Sequence, residues 1–178
     1  MGALEQIEYG DIVLLQLEVP MATVDAVVDI ASAKGARGVL NPAPAAIVSE
    51  HTLSKLYLIT PNQTEAQTLT GVEVVDEQSA ALAAKALIAK GVSRVVITMG
   101  SIGAYLYENG VGEIIPARKV AAVDTTAAGD VYNGALCAAL AEGQTLRESL
   151  VFATKASAIP VTRAGAQPSV PTREEVYN

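Results

Sequence analysis

Cysteine and histidine are almost absent from this chain of 178 residues, which holds one of each, Cys137 and His51. A lone cysteine excludes an intramolecular disulfide, and with one histidine it cannot complete a zinc site of the His/Cys type. Basic residues are also scarce, since twelve Lys and Arg stand against nineteen Asp and Glu for a net charge of −7. That charge has the wrong sign for neutralising phosphate backbones, so we expect no nucleic-acid partner.

Long apolar runs are missing as well. Charged residues, Pro or Gly interrupt every apolar stretch before it reaches the roughly 18 residues that a membrane span requires. The N-terminus also lacks the basic and apolar regions of a signal peptide. We therefore expect no membrane partner and a cytoplasmic location.

Aromatic residues are few, at 4% with no Trp, although hydrophobic residues reach 51%. The core must therefore be built from Ala, Val, Leu and Ile, as in many layered α/β proteins. The length fits one domain over residues 1–178, with enough apolar surface for a sizeable core.

Short β-branched runs alternate with helical patterns, which is typical of βαβ units around a parallel sheet. Strands are predicted over residues 11–17, 38–41, 56–60 and 94–98, and the stripe of Val24, Val27, Val28 and Ala31 predicts a helix packed on them. Asn109-Gly110 between two further apolar runs predicts a type I′ hairpin. The fold class is therefore α/β, a three-layer αβα arrangement with a mainly parallel sheet plus an antiparallel hairpin. Pro168 and Pro171 predict the end of regular structure.

The segment Asp124–Asp130, DTTAAGD, stands directly before a strongly apolar helix. Amides in a first helical turn lack intrahelical acceptors and the helix dipole adds positive charge, so small residues there let a phosphate approach the backbone. Asp130 would repel that phosphate unless it takes the proton of an acceptor hydroxyl during phosphoryl transfer. The structural alternative is that Asp124 or Thr126 caps the helix and Asp130 complements its dipole.

Three further segments at strand ends offer ligand contacts, each with a structural alternative. Asn62 and Glu65 follow the third strand, where open α/β sheets bind ligands, but the pair also fits a capping box. Gly100–Gly103 could hold phosphate through backbone amides or form a simple turn between strands. Glu18, after the first strand, could hydrogen-bond a polyol or be merely solvated.

Thr162–Ser169 is the last candidate, where a helix gives way to an irregular loop. Exposed carbonyls there, with the Asp124 carboxylate, suit an alkali metal ion, whereas Mg²⁺ more often sits on carboxylates, water and substrate phosphates. The alternative is an ordinary helix end at Gly165.

Together, the order of these motifs resembles the ribokinase-like family of carbohydrate kinases across nearly the whole chain. The segments that carry the resemblance are Gln16–Glu18, Leu40–Pro44, Thr60–Glu65, Asp124–Asp130 and Thr162–Ser169. The resemblance implies an enzyme that transfers the γ-phosphoryl group of ATP to the 5-hydroxyl of D-ribose, with Mg²⁺ and K⁺ as cofactors. Asp130 would be the catalytic base.

The resemblance also implies the other site residues. Ala127, Ala128 and Gly129 match the anion hole, and Glu18 and Asp130 match sugar contacts. The nucleotide-binding positions are Asn62, Thr98, Met99, Gly100, Ser101, Ile102, Gly103, Gly129, Asp130 and, on the adenine side, Thr154. Glu65 matches a magnesium-linked glutamate, and the potassium ion would be ringed by Asp124, Thr126, Pro160, Arg163, Gly165 and Ser169.

Such kinases also carry an N-terminal half with a glycine-rich sugar-binding motif and lid strands, and no segment of this chain matches it. The resemblance therefore concerns the C-terminal portion, and we expect weak chemistry because the lid orients substrate and excludes water. The alternative function is a catalytically incompetent nucleotide-binding module or a truncated fragment. Besides the sugar and nucleotide, the candidate partners are a second copy and a complementing N-terminal half.

Overall fold

The computed structural model describes residues 2–121 and 123–177. Six strands form one sheet in the order in which they occur along the chain. They are β1 (Ile12–Leu15), β2 (Arg37–Leu40), β3 (Leu58–Ile59), β4 (Val95–Thr98), β5 (Gly103–Glu108) and β6 (Val111–Pro116). The first four are parallel, with Leu15 opposite Leu40 and Ile59 opposite Val95.

Eight α-helices precede, connect or follow these strands in the described ranges. They are α1 (Gly2–Glu5), α2 (Met21–Ala33), α3 (Glu50–Leu53), α4 (Gln63–Thr70), α5 (Glu77–Ala89), α6 (Ala128–Ala141), α7 (Leu146–Ala158) and α8 (Arg173–Tyr177). Helix α2 buries the predicted stripe of Val24, Val27, Val28 and Ala31. No helix among these is long and apolar enough to cross a membrane.

The chain divides into two compact units, Met1–Met99 with Tyr105–Ile114, and Gly100–Ala104 with Ile115–Asn178. The first unit buries a large aliphatic cluster between its parallel strands and α2, α4 and α5. The second unit contains the packed pair α6 and α7, together with a small cluster of Val131, Ala156 and Val176. That residues 1–178 fold as one domain stays a prediction.

The β5–β6 turn confirms the predicted hairpin. Asn109 and Gly110 have φ angles of 53° and 80°, which are the two positive values that a type I′ turn requires. The predicted end of regular structure at Pro171 is wrong, because α8 begins at Arg173. Its start is fixed by Glu175, whose carboxylate accepts the Thr172 amide at 2.8 Å, and this interaction outweighs the breaking effect of the preceding proline.

Helix α5 offers a matched test of the core. Leu87 is fully buried, whereas Leu82 on the same helix is 61% exposed. We expect Leu87→Ala to lower the free energy of unfolding by about 2–5 kcal/mol through lost burial and a residual cavity. Leu82→Ala should change it by less than about 0.5 kcal/mol. Urea unfolding of both variants measures the difference, and equal losses would show that α5 does not pack as described.

Candidate active site

The first unit places several predicted contact residues at one edge of its sheet. Because β1 to β4 are parallel, their carboxyl ends share that edge. Glu18 lies just beyond β1 and is exposed. Asn62 and Thr98, which follow β3 and close β4, form a parallel bridge, and the Thr98 amide donates to the Pro61 carbonyl at 2.9 Å. The structure therefore brings Asn62 and Thr98 together.

Asn62 and Glu65 form a closed pair at the start of α4. The Asn62 side chain accepts the Glu65 amide at 2.9 Å, and Glu65 accepts the Asn62 amide and its side-chain NH₂, each at 2.8 Å. The capping box named as the structural alternative is therefore present. Glu65 is 6% exposed, and burial raises the pKa of its carboxyl while the Asn62 amide lowers it. A magnesium-linked role for Glu65 stays a prediction.

The predicted nucleotide loop is a tight connection between β4 and β5. Met99 is 2% exposed, so its side chain belongs to the core of the first unit and only its backbone is available to a ligand. Gly100, Ser101 and Ile102 form one 3₁₀ turn in the second unit and are exposed. Gly103 has a φ of 123°, and a Cβ there would lie 2.1 Å from the Ile115 carbonyl oxygen. Glycine is therefore required at position 103, because β5 and β6 lie too close together there for a side chain, whether or not a nucleotide binds.

The N-terminus of α6 has no side-chain cap. Its N-cap residue is Ala127, in the left-handed conformation at a φ of 64°. Asp124 instead accepts the Thr126 amide at 2.9 Å, so the alternative in which Asp124 or Thr126 caps the helix is wrong. Apart from its two chain neighbours and the backbone of α6 itself, a Cβ on Gly129 would meet no atom within 4 Å. The first turn of α6 thus combines small side chains with open space beside its backbone.

Asp124 also joins this segment to the loop that follows α7. Its second carboxylate oxygen accepts the Gly165 amide at 3.3 Å, and the Asp124 amide donates to the Val161 carbonyl at 3.2 Å. Hydrogen bonds from Thr126, side chain before amide, and from the Gly165 amide hold the pKa of Asp124 below its ordinary value. Gly165 does not end a helix, because α7 stops at Ala158. Two predicted potassium-site segments are therefore held together.

The remaining predicted potassium residues lie in the same loop. Pro160 is buried at the first position of a 3₁₀ turn, where its missing N–H costs nothing, and its carbonyl accepts the Arg163 amide at 2.9 Å. Arg163 directs its guanidinium to Glu175 at 2.5 Å. Ser169 is fully buried, and its hydroxyl donates to the Ala166 carbonyl at 2.6 Å. Carbonyls and one carboxylate are a donor set that fits a hard cation of low charge.

Asp130 lies in the first turn of α6, is exposed, and borders a cavity of about 510 Å³. The cavity wall is mostly apolar, and Asp130, Gln167 and Arg173 supply its charged and amide side chains. Arg173 is itself engaged with Glu142. Gln167 lies within the predicted segment Thr162–Ser169, although no role was predicted for its side chain. Sequence reasoning missed Arg173, because no motif marks it.

Thr154 lines a second, more polar cavity of about 380 Å³ in the same unit. Its neighbours there include Arg118 after β6 and Lys155 on α7, both of which sequence reasoning missed. Two cations beside Thr154, which is the predicted adenine-side position, would suit a phosphorylated ligand. Lys155 directly follows Thr154 in the sequence and could have been found as its neighbour. No sequence signal indicates that Arg118 lies near either residue.

Clusters of three or more His, Cys, Asp or Glu side chains placed to hold a metal ion do not occur within residues 2–121 and 123–177. Mg²⁺ commonly binds through substrate phosphates and water with only one or two carboxylates. A single buried carboxylate such as Glu65 fits that mode better than a dedicated protein cage.

Comparison with known proteins identifies relatives of the whole chain. The family model "pfkB family carbohydrate kinase" matches residues 3–173. The ribokinase of Haemophilus influenzae is 48% identical over 170 residues, covering 96% of this chain and 56% of that protein. The ribokinase of Staphylococcus aureus is 41% identical, with 98% and 58% covered.

Solved structures agree on the fold. The ribokinase of Thermotoga maritima superposes with a TM-score of 0.83 at 38% identity, covering 98% of this chain and 59% of that one. The ribokinase of Arabidopsis thaliana, determined with ribose and ATP, gives 0.86 at 33% identity, with 93% and 54% covered. These similarities confirm the predicted three-layer α/β class with its mixed sheet.

The chain thus spans 56% and 58% of the length of these two curated relatives. The family model matches almost all of it, from residue 3 to residue 173. The chain belongs to the pfkB family of carbohydrate kinases.

Proposed function

We propose that this chain carries the nucleotide-binding and phosphoryl-transfer part of an ATP-dependent sugar kinase that acts on the 5-hydroxyl of D-ribose. The observation that carries the proposal is the start of α6, which has no side-chain cap, small residues around its amides and Asp130 in its first turn. The substrate follows from the relatives named as ribokinases and from the Arabidopsis protein determined with ribose and ATP.

In the proposed reaction, Asp130 accepts the proton of the sugar hydroxyl, whose oxygen attacks the γ-phosphorus of ATP. The bond from that phosphorus to the bridging oxygen breaks, which leaves ADP and the sugar phosphate. Amides in the first turn of α6, that of Gly129 among them, would stabilise the negative charge that develops on the transferred group. The Ala128 amide, which belongs to the predicted anion hole, donates to the Thr125 carbonyl at 3.3 Å and would have to leave it to contribute. The open space at Gly129 allows the close approach that this step needs.

Two metal ions enter the proposal through the residues that would hold them. Asp124, with carbonyls of the loop from Pro160 to Ser169, would bind K⁺ and so order the start of α6. Glu65 would act on Mg²⁺ bound to the nucleotide, through water. Mg²⁺ bound to the nucleotide would neutralise phosphate charge during the transfer.

A second candidate function is a nucleotide-binding module without catalysis of its own. It is favoured by the mostly apolar wall beside Asp130, which supplies few of the hydrogen-bond partners that a polyol needs. A homodimer, a complementing N-terminal half and a cytoplasmic location stay predictions.

Calorimetric titration with Mg-ADP, followed by a turnover assay with Mg-ATP and D-ribose, separates the two functions. Nucleotide binding without turnover supports the module, and absence of both contradicts both.

Replacing the proposed base should separate chemistry from binding. Asp130→Asn keeps the size of the side chain but cannot accept the proton, so we expect turnover with D-ribose to fall at least about 100-fold. Mg-ADP affinity should be retained, because the amides that hold phosphate are unchanged. Glu174→Gln, which removes one exposed carboxylate from α8, is the matched control. Equal turnover of wild type and Asp130→Asn would exclude Asp130 as the base.

The conformation of Ala127 predicts an unusual stabilising substitution. An alanine at a φ of 64° is strained by about 1 kcal/mol, because its Cβ crowds the carbonyl oxygen. Ala127→Gly should therefore raise the free energy of unfolding by about that amount. Ala128→Gly, one residue into α6, should lower it by up to about 1 kcal/mol. Urea unfolding gives both values, and a loss in both variants would contradict the left-handed assignment.

The potassium proposal predicts a cation effect that depends on Asp124. Replacing K⁺ by tetramethylammonium should weaken Mg-ADP binding several-fold in wild type and have little effect on Asp124→Asn. Because its hydrogen bonds lower the pKa of Asp124 from 3.8, the carboxylate is ionised at any pH above about 5. The effect should therefore be constant between about pH 6 and 8.

Acidification should destabilise the folded protein through Asp124. As pH falls below 3.8, protonation of Asp124 removes its acceptor charge, and the stabilisation it contributes in the folded state is lost. Asp124→Asn should lack this component of acid unfolding.

For the cation effect, the contradicting outcome is an Asp124→Asn variant whose Mg-ADP binding keeps the full response to K⁺. That result would mean that the potassium ion does not bind at Asp124.

A further inference from the structure

Asn41 is a polar residue buried at the carboxyl end of β2. It directly follows Leu40, the last residue of that strand, and it is only 6% exposed. Its backbone amide donates to the Leu15 carbonyl at 2.9 Å, and its own carbonyl accepts the Ala43 amide at 2.8 Å. The backbone of Asn41 is therefore held at the edge of the sheet by bonds within the first unit.

The side chain of Asn41, unlike its backbone, makes no hydrogen bond to residues 2–121 or 123–177. Thr60, at the end of the neighbouring β3, has the opposite arrangement, because its hydroxyl donates to the Leu40 carbonyl at 3.3 Å. The unpaired side-chain atoms that are fully shielded from solvent in these ranges are the hydroxyls of Tyr132 and Thr154. The Asn41 amide is not among them, so it combines the lack of a partner with some remaining access from solvent.

The polar groups on either side of Asn41 are anionic or already engaged. Because β2 lies between β1 and β3 in the sheet, Asn41 comes between Glu18, just beyond β1, and Asn62, just beyond β3. The Asn62 side chain donates to Glu65 and accepts the Glu65 amide. Ionised carboxylates such as those of Glu18 and Glu65 accept hydrogen bonds but cannot donate them. Of the two asparagine amides at this edge, only that of Asn41 has both N–H groups unused.

A buried amide without a partner is costly, and such groups are nearly always paired in folded proteins. The carboxyl edge of an open parallel sheet is also where α/β proteins bind ligands. A phosphate at this edge would be repelled by the carboxylates of Glu18 and Glu65 unless a neutral or cationic donor met it. The free N–H groups of Asn41 are such a donor.

We propose that Asn41 is a ligand-contact residue of this edge, whose side-chain NH₂ donates to a phosphate oxygen of the nucleotide. The residue must then be neutral, because a carboxylate of the same shape would add a third negative charge beside the phosphate. This inference rests on the proposed nucleotide-binding function, and it names a contact that the predicted nucleotide positions do not include.

The test is a set of calorimetric titrations of the full chain with Mg-ATP in the absence of sugar. Asn41→Ala should weaken binding at least about tenfold, the effect of one lost hydrogen bond to a charged group. Asn41→Asp, which has nearly the same shape, should bind more weakly than Asn41→Ala, because it opposes like charges. A sugar hydroxyl or a metal-bound water would instead donate to an acceptor. An Asn41→Asp variant that binds Mg-ATP as well as Asn41→Ala, or better, would therefore overturn the phosphate contact.

Urea unfolding without nucleotide, with Thr52→Val as the matched control, distinguishes ligand contact from a structural role. Thr52 is also buried in the first unit, but its hydroxyl donates to Asp25. Thr52→Val should unfold more easily and bind Mg-ATP as wild type does, whereas Asn41→Ala should show the reverse.

The failures of the inference and of the proposed function are distinguishable. An Asn41→Ala variant with wild-type affinity for Mg-ATP overturns the inference and leaves the proposed function intact, and it does so even if Asn41→Asp does not fold. Absence of Mg-ATP binding by the wild-type chain overturns the proposed function, and the inference with it.

Discussion

The arrangement of the second unit depends on where the Asp124 carboxylate makes its hydrogen bonds. One oxygen accepts the Thr126 amide, and the other accepts the Gly165 amide, 41 residues further along the chain. Had the same carboxylate capped α6, it would have satisfied the amides that a phosphate needs and placed negative charge beside them. Its engagement with the loop leaves the first turn of α6 without a side-chain cap and holds the proposed cation donors next to it.

In the first unit, one pair of side chains that caps a helix also belongs to the predicted nucleotide site. Asn62 and Glu65 satisfy each other at the start of α4, just beyond the carboxyl end of β3. Any action of Glu65 on a nucleotide-bound metal must therefore proceed through water, or through partial exchange of the capping bonds. A substitution of Glu65 would alter helix stability and ligand binding together, so activity alone cannot assign its role.

The sequence predicted the elements whose signals are local. The buried stripe of α2, the type I′ turn at Asn109-Gly110 and the capping box at Asn62 each depend on residues within one or two turns of chain. The prediction that regular structure ends at Pro171 is wrong because Thr172 and Glu175, three residues apart, form a local capping pattern that starts α8.

The parts that sequence reasoning did not find are those created by tertiary placement. Nothing local links Arg118 to Thr154, or Asp124 to Gly165, because these residues come from segments that meet only after the chain has folded. The uncapped α6 is a similar case. DTTAAGD is compatible with both a cap and an anion site, and the bonds from Thr126 and Gly165 to Asp124 leave the cap unformed. The anion site stays a proposal.

The two cavities of the second unit also differ in a way that bears on mechanism. The one that contains Thr154 has cationic side chains from Arg118 and Lys155, whereas the one beside Asp130 is mostly apolar. Phosphate recognition needs charge and amides, and both are present in this unit. Choosing one sugar over another needs several directed hydrogen bonds to its hydroxyls, because an apolar wall discriminates weakly between isosteric polyols. In the proposed reaction, the second unit would therefore serve the transferred group rather than the choice of its acceptor.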